Sequence, residues 1–257
     1  MSAVTLPRVA RMEWIKFWSL RSTIYTLAIT VVVTVGFGAL FASLVGTGDG
    51  DGPPVGDPTS TSLNGVMLAA LAMAVLGVLT TTGEYATGTI RATLSAVPQR
   101  LPVLWAKVAV FAAASFAFML AAVFGAFLIG QAILSSRGLD STALSDPGVF
   151  RAVIGAAVYL TGAGLIGLAV GGLLRNTAGA ITVVVGALFL VPGLIQLLPA
   201  SISDNVSPYL PSSAAESFMS VQTASGDLSP WAGLAVFLGY LVVLVAGAAG
   251  LLKRRDA

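Results

Sequence analysis

The fold is decided by AVIGAAVYLTGAGLIGLAVGGLLRNTAGAITVVVGALFLVPGLIQLL, residues 152–198. Arg175 is its one charged residue, and it separates two apolar runs, residues 152–174 and 178–198. An α-helix of about 20 apolar residues spans the roughly 30 Å of hydrocarbon in a bilayer. We therefore predict two transmembrane helices joined by a tight turn at one face of the membrane.

Four further apolar runs have the same character and bring the predicted number of spans to six. Of the 257 residues, 56% are hydrophobic and only 9% are charged, whereas an average soluble domain has about 25% charged residues. The sequence thus predicts an all-α integral membrane fold in which residues 1–257 form a single transmembrane domain. The other predicted spans cover residues 24–45, 63–83, 103–134 and 230–252.

Basic residues are concentrated in the two terminal segments and in alternate connections between the spans. Of the 13 Lys and Arg residues, only Arg137 and Arg151 lie in the opposite set of connections. Lys and Arg accumulate on the cytoplasmic side of membrane proteins. We therefore predict a multi-pass protein of the cell membrane with both termini in the cytoplasm. The other basic residues are Arg8, Arg11, Lys16, Arg21, Arg91, Arg100, Lys107, Arg175, Lys253, Arg254 and Arg255.

Several classes of function lack the residues that they need. The chain contains neither His nor Cys, so the commonest general base, the commonest metal ligand and any thiolate are missing. Lys107 is the one ionisable residue in the predicted spans, whereas a proton-coupled carrier needs an intramembrane relay. No P-loop motif is present. We predict no catalytic, metal or cofactor site and no enzyme activity, while sodium coupling through backbone carbonyls stays open.

The N-terminal segment ARMEWIKFWSLRST, residues 10–23, interleaves aromatic and basic side chains. Both kinds of side chain prefer the headgroup zone of a bilayer. We predict a helix in the membrane interface, although the faces of its helical wheel do not separate cleanly. A flank that only fixes the topology is an equal alternative. The residues of the predicted interfacial helix are Arg11, Trp14, Lys16, Trp18 and Arg21.

A second polar segment, GEYATGTIRATLSAVPQRLPVLWAK, residues 83–107, connects the second and third spans. Its apolar residues recur at helical spacing and predict a short surface helix with one anchored face. Thr93 lies off that face, and Pro98 and Pro102 end the helix. The apolar stripe comprises Ile90, Leu94 and Val97.

The segments EWIKFWSLRST (residues 13–23) and GEYATGTIRATLSAVPQR (residues 83–100) resemble those of type-2 ABC transporter permeases. These are membrane subunits of bacterial ATP-driven exporters. SPYLPSSAAESFMS, residues 207–220, similarly resembles the external stretch before the last span of that family. The resemblance implies a bacterial inner membrane, an ABC ATPase subunit that binds ATP and Mg²⁺ as partner, and a second permease subunit, alike or homologous.

The resemblance also implies roles for residues of the second polar segment, which corresponds to the coupling helix of the family. Glu84 is expected to meet a basic group on the ATPase. Tyr85 and Gly88 are expected to shape the entry to the coupling helix. The alternative is that Glu84 caps a helix and Arg91 pairs with a lipid phosphate. The expected contact surface comprises Thr89, Ile90 and Arg91.

The last external loop contains the pattern S-x-x-E at Ser213 and Glu216. This capping box predicts a short helix through about Val221. The resemblance implies that such helices dip into the outer leaflet and close the pathway. An ordinary external helix is the alternative.

Polar and small residues of the spans offer two further predictions. Gln131 and Gln196, near the outer ends of spans, either line a substrate pathway or bond to neighbouring backbone. Gly167 and Gly171 form a G-x-x-x-G pair, which predicts close packing of two helices.

These features favour the permease subunit of an ABC exporter, which forms the pathway and couples to a separate ATPase. The alternative is a membrane scaffold or sensor subunit that binds a partner and transports nothing. Neither reading identifies a substrate or distinguishes a homodimer from a heterodimer.

Overall fold

The computed structural model describes residues 5–46, 56–97, 100–222 and 226–254, with all side chains except those of Arg91, Leu94 and Ala96. Throughout these residues the regular structure is helical, without strands. A π-helical segment, Gly186–Leu190, and a 3₁₀ turn, Ser207–Tyr209, join the α-helices. The α-helices are α1 (Leu6–Ser19), α2 (Arg21–Leu44), α3 (Pro58–Leu63), α4 (Gly65–Ala86), α5 (Thr89–Ala96), α6 (Arg100–Ser136), α7 (Val149–Leu174), α8 (Thr177–Val185), α9 (Val191–Ile195), α10 (Ala200–Val206), α11 (Pro211–Met219) and α12 (Pro230–Arg254).

Six helical stretches are long and apolar enough to cross a membrane. They are α2, α3 with α4, α6, α7, α8 through α9, and α12. Their order confirms the predicted all-α membrane fold, and their bounds follow the predicted ones closely. The largest difference is at the second span, which begins at Pro58 because Asp57 caps α3 through the amides of Thr59 and Ser60.

One end of the bundle, here called the α1 end, brings α1, α5 and the junction of α7 with α8 together. Thr177, at the start of α8, donates a hydrogen bond to Thr82 of α4 over 2.9 Å. Arg100, at the start of α6, donates to the carbonyl of Leu252 in α12 over 3.3 Å. Pro102 was expected to help end the helix before it. It lies instead in the first turn of α6, which begins at Arg100.

The opposite end, here called the α11 end, holds the connections after α2, α6 and α9. Arg137 donates to the carbonyl of Ser43 over 2.7 Å. Arg151 donates to the carbonyls of Phe218 and Ser220, both over 2.9 Å. The two basic residues of this end thus hold the ends of α2 and α11 in place.

Helix α7 forms the centre of the bundle. Its most apolar stretch is 83% buried, whereas the corresponding stretch of α12 is 17% buried. The contact of α7 with α4 depends on glycine, because a Cβ on Gly77 or Gly167 would overlap the backbone of the facing helix. A Cβ on Gly171 would lie 3.1 Å from the carbonyl oxygen of Val78. The close packing predicted for Gly167 and Gly171 is confirmed.

The fifth span changes its helical geometry at Gly186–Leu190. Pro192 follows two residues after this segment and has no amide hydrogen to complete a regular helical turn. Such π-helical turns are rare and are often found at functional sites. In this segment Leu188 is 1% exposed and packs in the core, while Leu190 is 62% exposed.

Helix α11 exists as predicted, but the predicted capping box is wrong. The helix begins at Pro211, its N-cap residue is Leu210, and no side chain caps it. Proline suits the first turn of a helix because its φ is already helical and its missing N–H is not needed there. Ser213 therefore lies inside the first turn, and the helix ends at Met219, before the predicted Val221.

Helix α11 is wedged between α7 and α12. A Cβ on Gly155 of α7 would lie 2.8 Å from the carbonyl oxygen of Phe218. A Cβ on Gly233 of α12 would lie 2.5 Å from the carbonyl oxygen of Ala214. The Phe218 ring also packs on Phe237, with centroids 5.8 Å apart. The helix thus lies against the ends of two spans instead of standing clear of them.

The contact between α4 and α7 can be tested by adding a single methyl group. Gly167→Ala should destabilise the protein by about 1–3 kcal/mol, because the new Cβ overlaps the backbone of α4. Gly239→Ala is the matched control, since nothing lies within 4 Å of a Cβ at that position. Thermal unfolding of the purified variants in detergent measures the difference. Equal stability of the two variants would contradict the described packing.

Candidate coupling site

Helix α1 buries a stripe that contains a charged residue. Val9, Glu13 and Phe17 recur every four residues and are 2%, 3% and 4% exposed. The stripe packs against α6, where the Phe17 ring meets Phe111 with centroids 5.9 Å apart. The helix therefore presents a carboxylate to the interior of the bundle.

Four charged side chains meet where α1 packs on the bundle. We call these residues, Glu13, Lys16, Glu84 and Lys107, the four-charge cluster. Lys107 Nζ lies 2.7 Å from Glu13 Oε2 and 2.8 Å from Glu84 Oε1. Lys16 Nζ lies 2.9 Å from Glu13 Oε1 and 3.0 Å from Glu84 Oε1. Two carboxylates and two ammonium groups thus form a closed arrangement without net charge.

The four-charge cluster joins helices that are far apart in sequence. Glu13 and Lys16 belong to α1, Glu84 to the last turn of α4, and Lys107 to α6. Thr93 adds α5, because its hydroxyl oxygen accepts a third hydrogen bond from Lys16 Nζ over 3.0 Å. One ammonium group therefore contacts three helices at once.

Burial makes the partners in this cluster interdependent. The side chains of Glu13, Lys107 and Glu84 are 3%, 7% and 13% exposed. Charges removed from water carry a desolvation penalty of several kcal/mol each, which only well-placed partners offset. Removal of one member leaves another charge buried without compensation, so each helix constrains the position of the others.

Lys16 lies at the solvent side of the cluster. Burial by itself lowers the pKa of Lys16, but hydrogen bonds and charges from Glu13 and Glu84 outweigh it and raise that pKa. A raised pKa of a lysine favours its charged form. The stabilisation is therefore complete at neutral pH and is lost only as the pH rises through the raised pKa.

Two polar atoms next to the cluster have no protein partner among the described residues. They are Glu84 Oε2 and Thr81 Oγ1, and both are fully buried. Both residues line a cavity of about 30 Å³ beside Lys107. That volume suffices for one water molecule.

Helix α5 has one buried and one exposed face. Ile90, Thr93 and Val97 face inward and are 8%, 6% and 6% exposed. Thr93 was expected off the buried stripe, and it faces inward because its hydroxyl group has a polar partner in Lys16. The exposed face comprises Thr89, Ala92 and Ser95.

The residues of the expected contact surface of α5 do not all face the same side of the helix. Thr89 is exposed, Ile90 faces inward, and the Arg91 side chain lies outside the described part of the chain. Glu84 lies beneath the helix and contacts Lys16 and Lys107. Its described contacts are thus internal, unlike the expected contact with a basic group of a partner.

The entry to α5 depends on Gly88, which has a φ of +72°. Only glycine adopts this left-handed conformation without a steric cost. Just before it, the Tyr85 ring lies under the guanidinium group of Arg175, with Cζ 5.0 Å from the ring centroid. Both residues lie where α4 turns into α5, the place that the resemblance implies for them.

The segment of the predicted interfacial helix is helical, as α1, but this helix ends earlier than expected. The helical conformation is interrupted at Leu20, which has extended φ and ψ. Arg21 is therefore the first residue of α2 and does not belong to α1. Arg11 and Trp14 are exposed, whereas Trp18 is half-buried and packs on Phe118 with centroids 5.4 Å apart.

The two glutamines lie at the α11 end and differ in environment. Gln131 is 8% exposed and donates to the carbonyl of Pro58 and to the hydroxyl of Ser62. Its oxygen accepts from the amide of Thr142 over 2.7 Å. This geometry favours the alternative in which Gln131 bonds to neighbouring backbone. Gln196 is exposed at the end of α9.

Sequence reasoning missed Glu13 and the inward face of Thr93. Two signals pointed to Glu13. A lysine in a span needs a counter-charge, and Lys107 has no acidic neighbour in its own helix. Glu13 also stands four residues from both Val9 and Phe17, so it shares their face on a helix.

Removal of one lysine tests the interdependence of the four-charge cluster. Lys107→Met should destabilise the protein by about 3–5 kcal/mol, because Glu13 loses its closest partner while it stays buried. The double variant Glu13→Gln with Lys107→Met should lose less unfolding free energy than the sum of the two single variants. In the double variant both members of the closest ion pair are uncharged, so neither leaves its partner buried without compensation. Unfolding in detergent, followed by circular dichroism, measures each effect.

Lys253→Met is the control for the same change at an exposed lysine of the α1 end. Lys253→Met should not change the midpoint of the unfolding transition. A Lys107→Met transition equal to that of the control would show that the four-charge cluster does not hold the helices together.

Comparison of the sequence with protein-family models finds no match, and comparison with curated proteins finds none either. The functional proposal therefore rests on the four-charge cluster.

Proposed function

We propose that this chain is the permease subunit of an ATP-driven exporter, in which α5 receives the motion of a separate ATPase. The single observation that carries the proposal is the four-charge cluster, which ties α5 to α1 and to the second and third spans. A connection that only links two spans needs no such attachment. The resemblance of these segments to type-2 ABC permeases points the same way.

The attachment of α5 has a polar and an apolar part. Thr93 bonds to Lys16, as described above. Val97, just after the helix, packs in a small cluster with Val9 of α1 and with Val103 and Ala106 of α6. A force on α5 therefore acts on α1 and α6 together, because neither can shift without breaking buried contacts.

The exposed face of α5 is the proposed docking surface for the ATPase. Thr89, Ala92 and Ser95 present small side chains there, which allow close approach of a partner. Glu84 acts from within by holding Lys16 and Lys107. In this proposal the α1 end faces the cytoplasm, since it carries most of the basic residues.

The transport pathway requires a second permease subunit. The fifth span and α12 are each only 17% buried in their most apolar stretches, so they expose wide apolar faces. One such face is proposed to contact the second subunit, a copy or a homologue of this chain. The energy comes from ATP and Mg²⁺ on the partner ATPase, and the spans then alternate access to the two sides.

A larger side chain on the docking surface tests the proposal. Ala92→Arg should abolish co-purification of a P-loop ATPase with the tagged chain from its native membrane, because the new side chain holds the partner away. Ala178→Arg is the matched control, since Ala178 is exposed at the same end of the bundle in the first turn of α8. Mass spectrometry of the material purified in mild detergent identifies the partner.

The proposal predicts a stoichiometric ATPase with the unaltered chain and with Ala178→Arg, and its loss with Ala92→Arg. Recovery of the chain alone, or with only a kinase, would favour the scaffold or sensor. An ATPase retained by Ala92→Arg would place the docking surface elsewhere.

A further inference from the structure

A cavity of about 180 Å³ opens at the α11 end, away from the four-charge cluster. It is surrounded by α3, the start of α4, the middle of α7, the π-helical segment and α11. A cavity of about 150 Å³ is large enough for benzene. The space therefore fits one aromatic ring or an aliphatic group of similar size, and its open side leaves room for a polar head.

The walls combine aromatic, thioether and carboxylate groups. Tyr159 and Phe189 contribute ring surfaces, and Met67 and Met219 contribute polarisable side chains. Glu216 is the single charged residue among the residues that line the cavity. A wall of this composition attracts a positive charge, since both ring faces and a carboxylate favour a cation.

The carboxylate of Glu216 is available to a ligand. In the part of the chain that the structure describes, it has neither an ion pair nor a side-chain hydrogen bond. The two arginines of the same end are engaged elsewhere, since Arg151 bonds to carbonyls of α11 and its following residue, and Arg137 to carbonyls at the end of α2. Glu216 thus faces the cavity without a basic partner from its own chain.

A second polar atom at the cavity also has no partner. The hydroxyl oxygen of Ser212 is fully buried and makes no hydrogen bond with a described residue. Ser212 lines the cavity one turn before Glu216 on α11. A buried hydroxyl group without a partner is costly, and a bound polar group could supply that partner.

We infer that this cavity binds an organic cation with an apolar body, whose charge lies between Glu216 and the aromatic rings. The ring or alkyl body fills the space beside Leu188 of the π-helical segment, and the cationic head faces the open side. The inference concerns binding by this chain and holds whether or not the chain transports the ligand. It therefore stands apart from the proposed function.

Equilibrium binding of benzylammonium, the form of benzylamine at neutral pH, to the purified chain in lipid nanodiscs tests the inference. Saturable binding is expected, whereas benzoate, an anion of similar size, should not bind. Glu216→Gln should weaken the binding about tenfold or more, because it removes the charge and keeps the shape. Asp204→Asn is the matched control, since Asp204 is exposed on α10 and does not line the cavity.

A second variant tests the location of the binding site and leaves the charge of Glu216 unchanged. Ser60 is exposed and lines the cavity, so Ser60→Phe should obstruct it and abolish binding. All variants are first checked for the circular dichroism and elution of the unaltered chain. Absence of saturable binding to the unaltered chain, or equal affinity of Glu216→Gln and Asp204→Asn, would overturn the inference.

Discussion

The structure depends on the need of buried charges for partners. Lys107 lies where the third span begins, and its ammonium group cannot stay there without compensation. Two carboxylates from other helices compensate it, and the second of the two lysines balances the charge. Because Lys107 belongs to α6, Glu13 to α1 and Glu84 to α4, a local electrostatic requirement fixes the positions of these three helices. Helix α5 is attached through Thr93.

The rest of the bundle has a tightly packed centre and two ends that differ in how their charged groups are paired. Glycines let α7 approach α4 so closely that their backbones are in contact, which leaves little freedom between these spans. At the α1 end the four members of the four-charge cluster neutralise one another. At the α11 end Glu216 remains available beside aromatic side chains. The proposed docking surface and the inferred ligand cavity therefore lie at opposite ends of one tightly packed pair of spans.

The spans could be predicted from the sequence because membrane crossing is a matter of length and apolar character, and both can be read directly. The roles of Tyr85 and Gly88 at the start of α5 were expected only from the resemblance to type-2 ABC permeases. Glu13 was missed as a partner of Lys107, because it is 94 residues away in sequence and interrupts the apolar stripe on which a wheel analysis depends. Ser213 failed as a cap because Pro211 starts the helix earlier.

The most direct test of the central claim measures whether α1 and α5 are held as one body. The chain has no native Cys, so spin labels can be attached at Ser19→Cys and Ser95→Cys, both at exposed positions. Pulsed electron paramagnetic resonance then gives the distribution of distances between the labels, with and without Lys16→Met. The account predicts a narrow distribution for the labelled pair, which broadens when Lys16 is replaced. A broad distribution with Lys16 present, or one that Lys16→Met leaves unchanged, would contradict it.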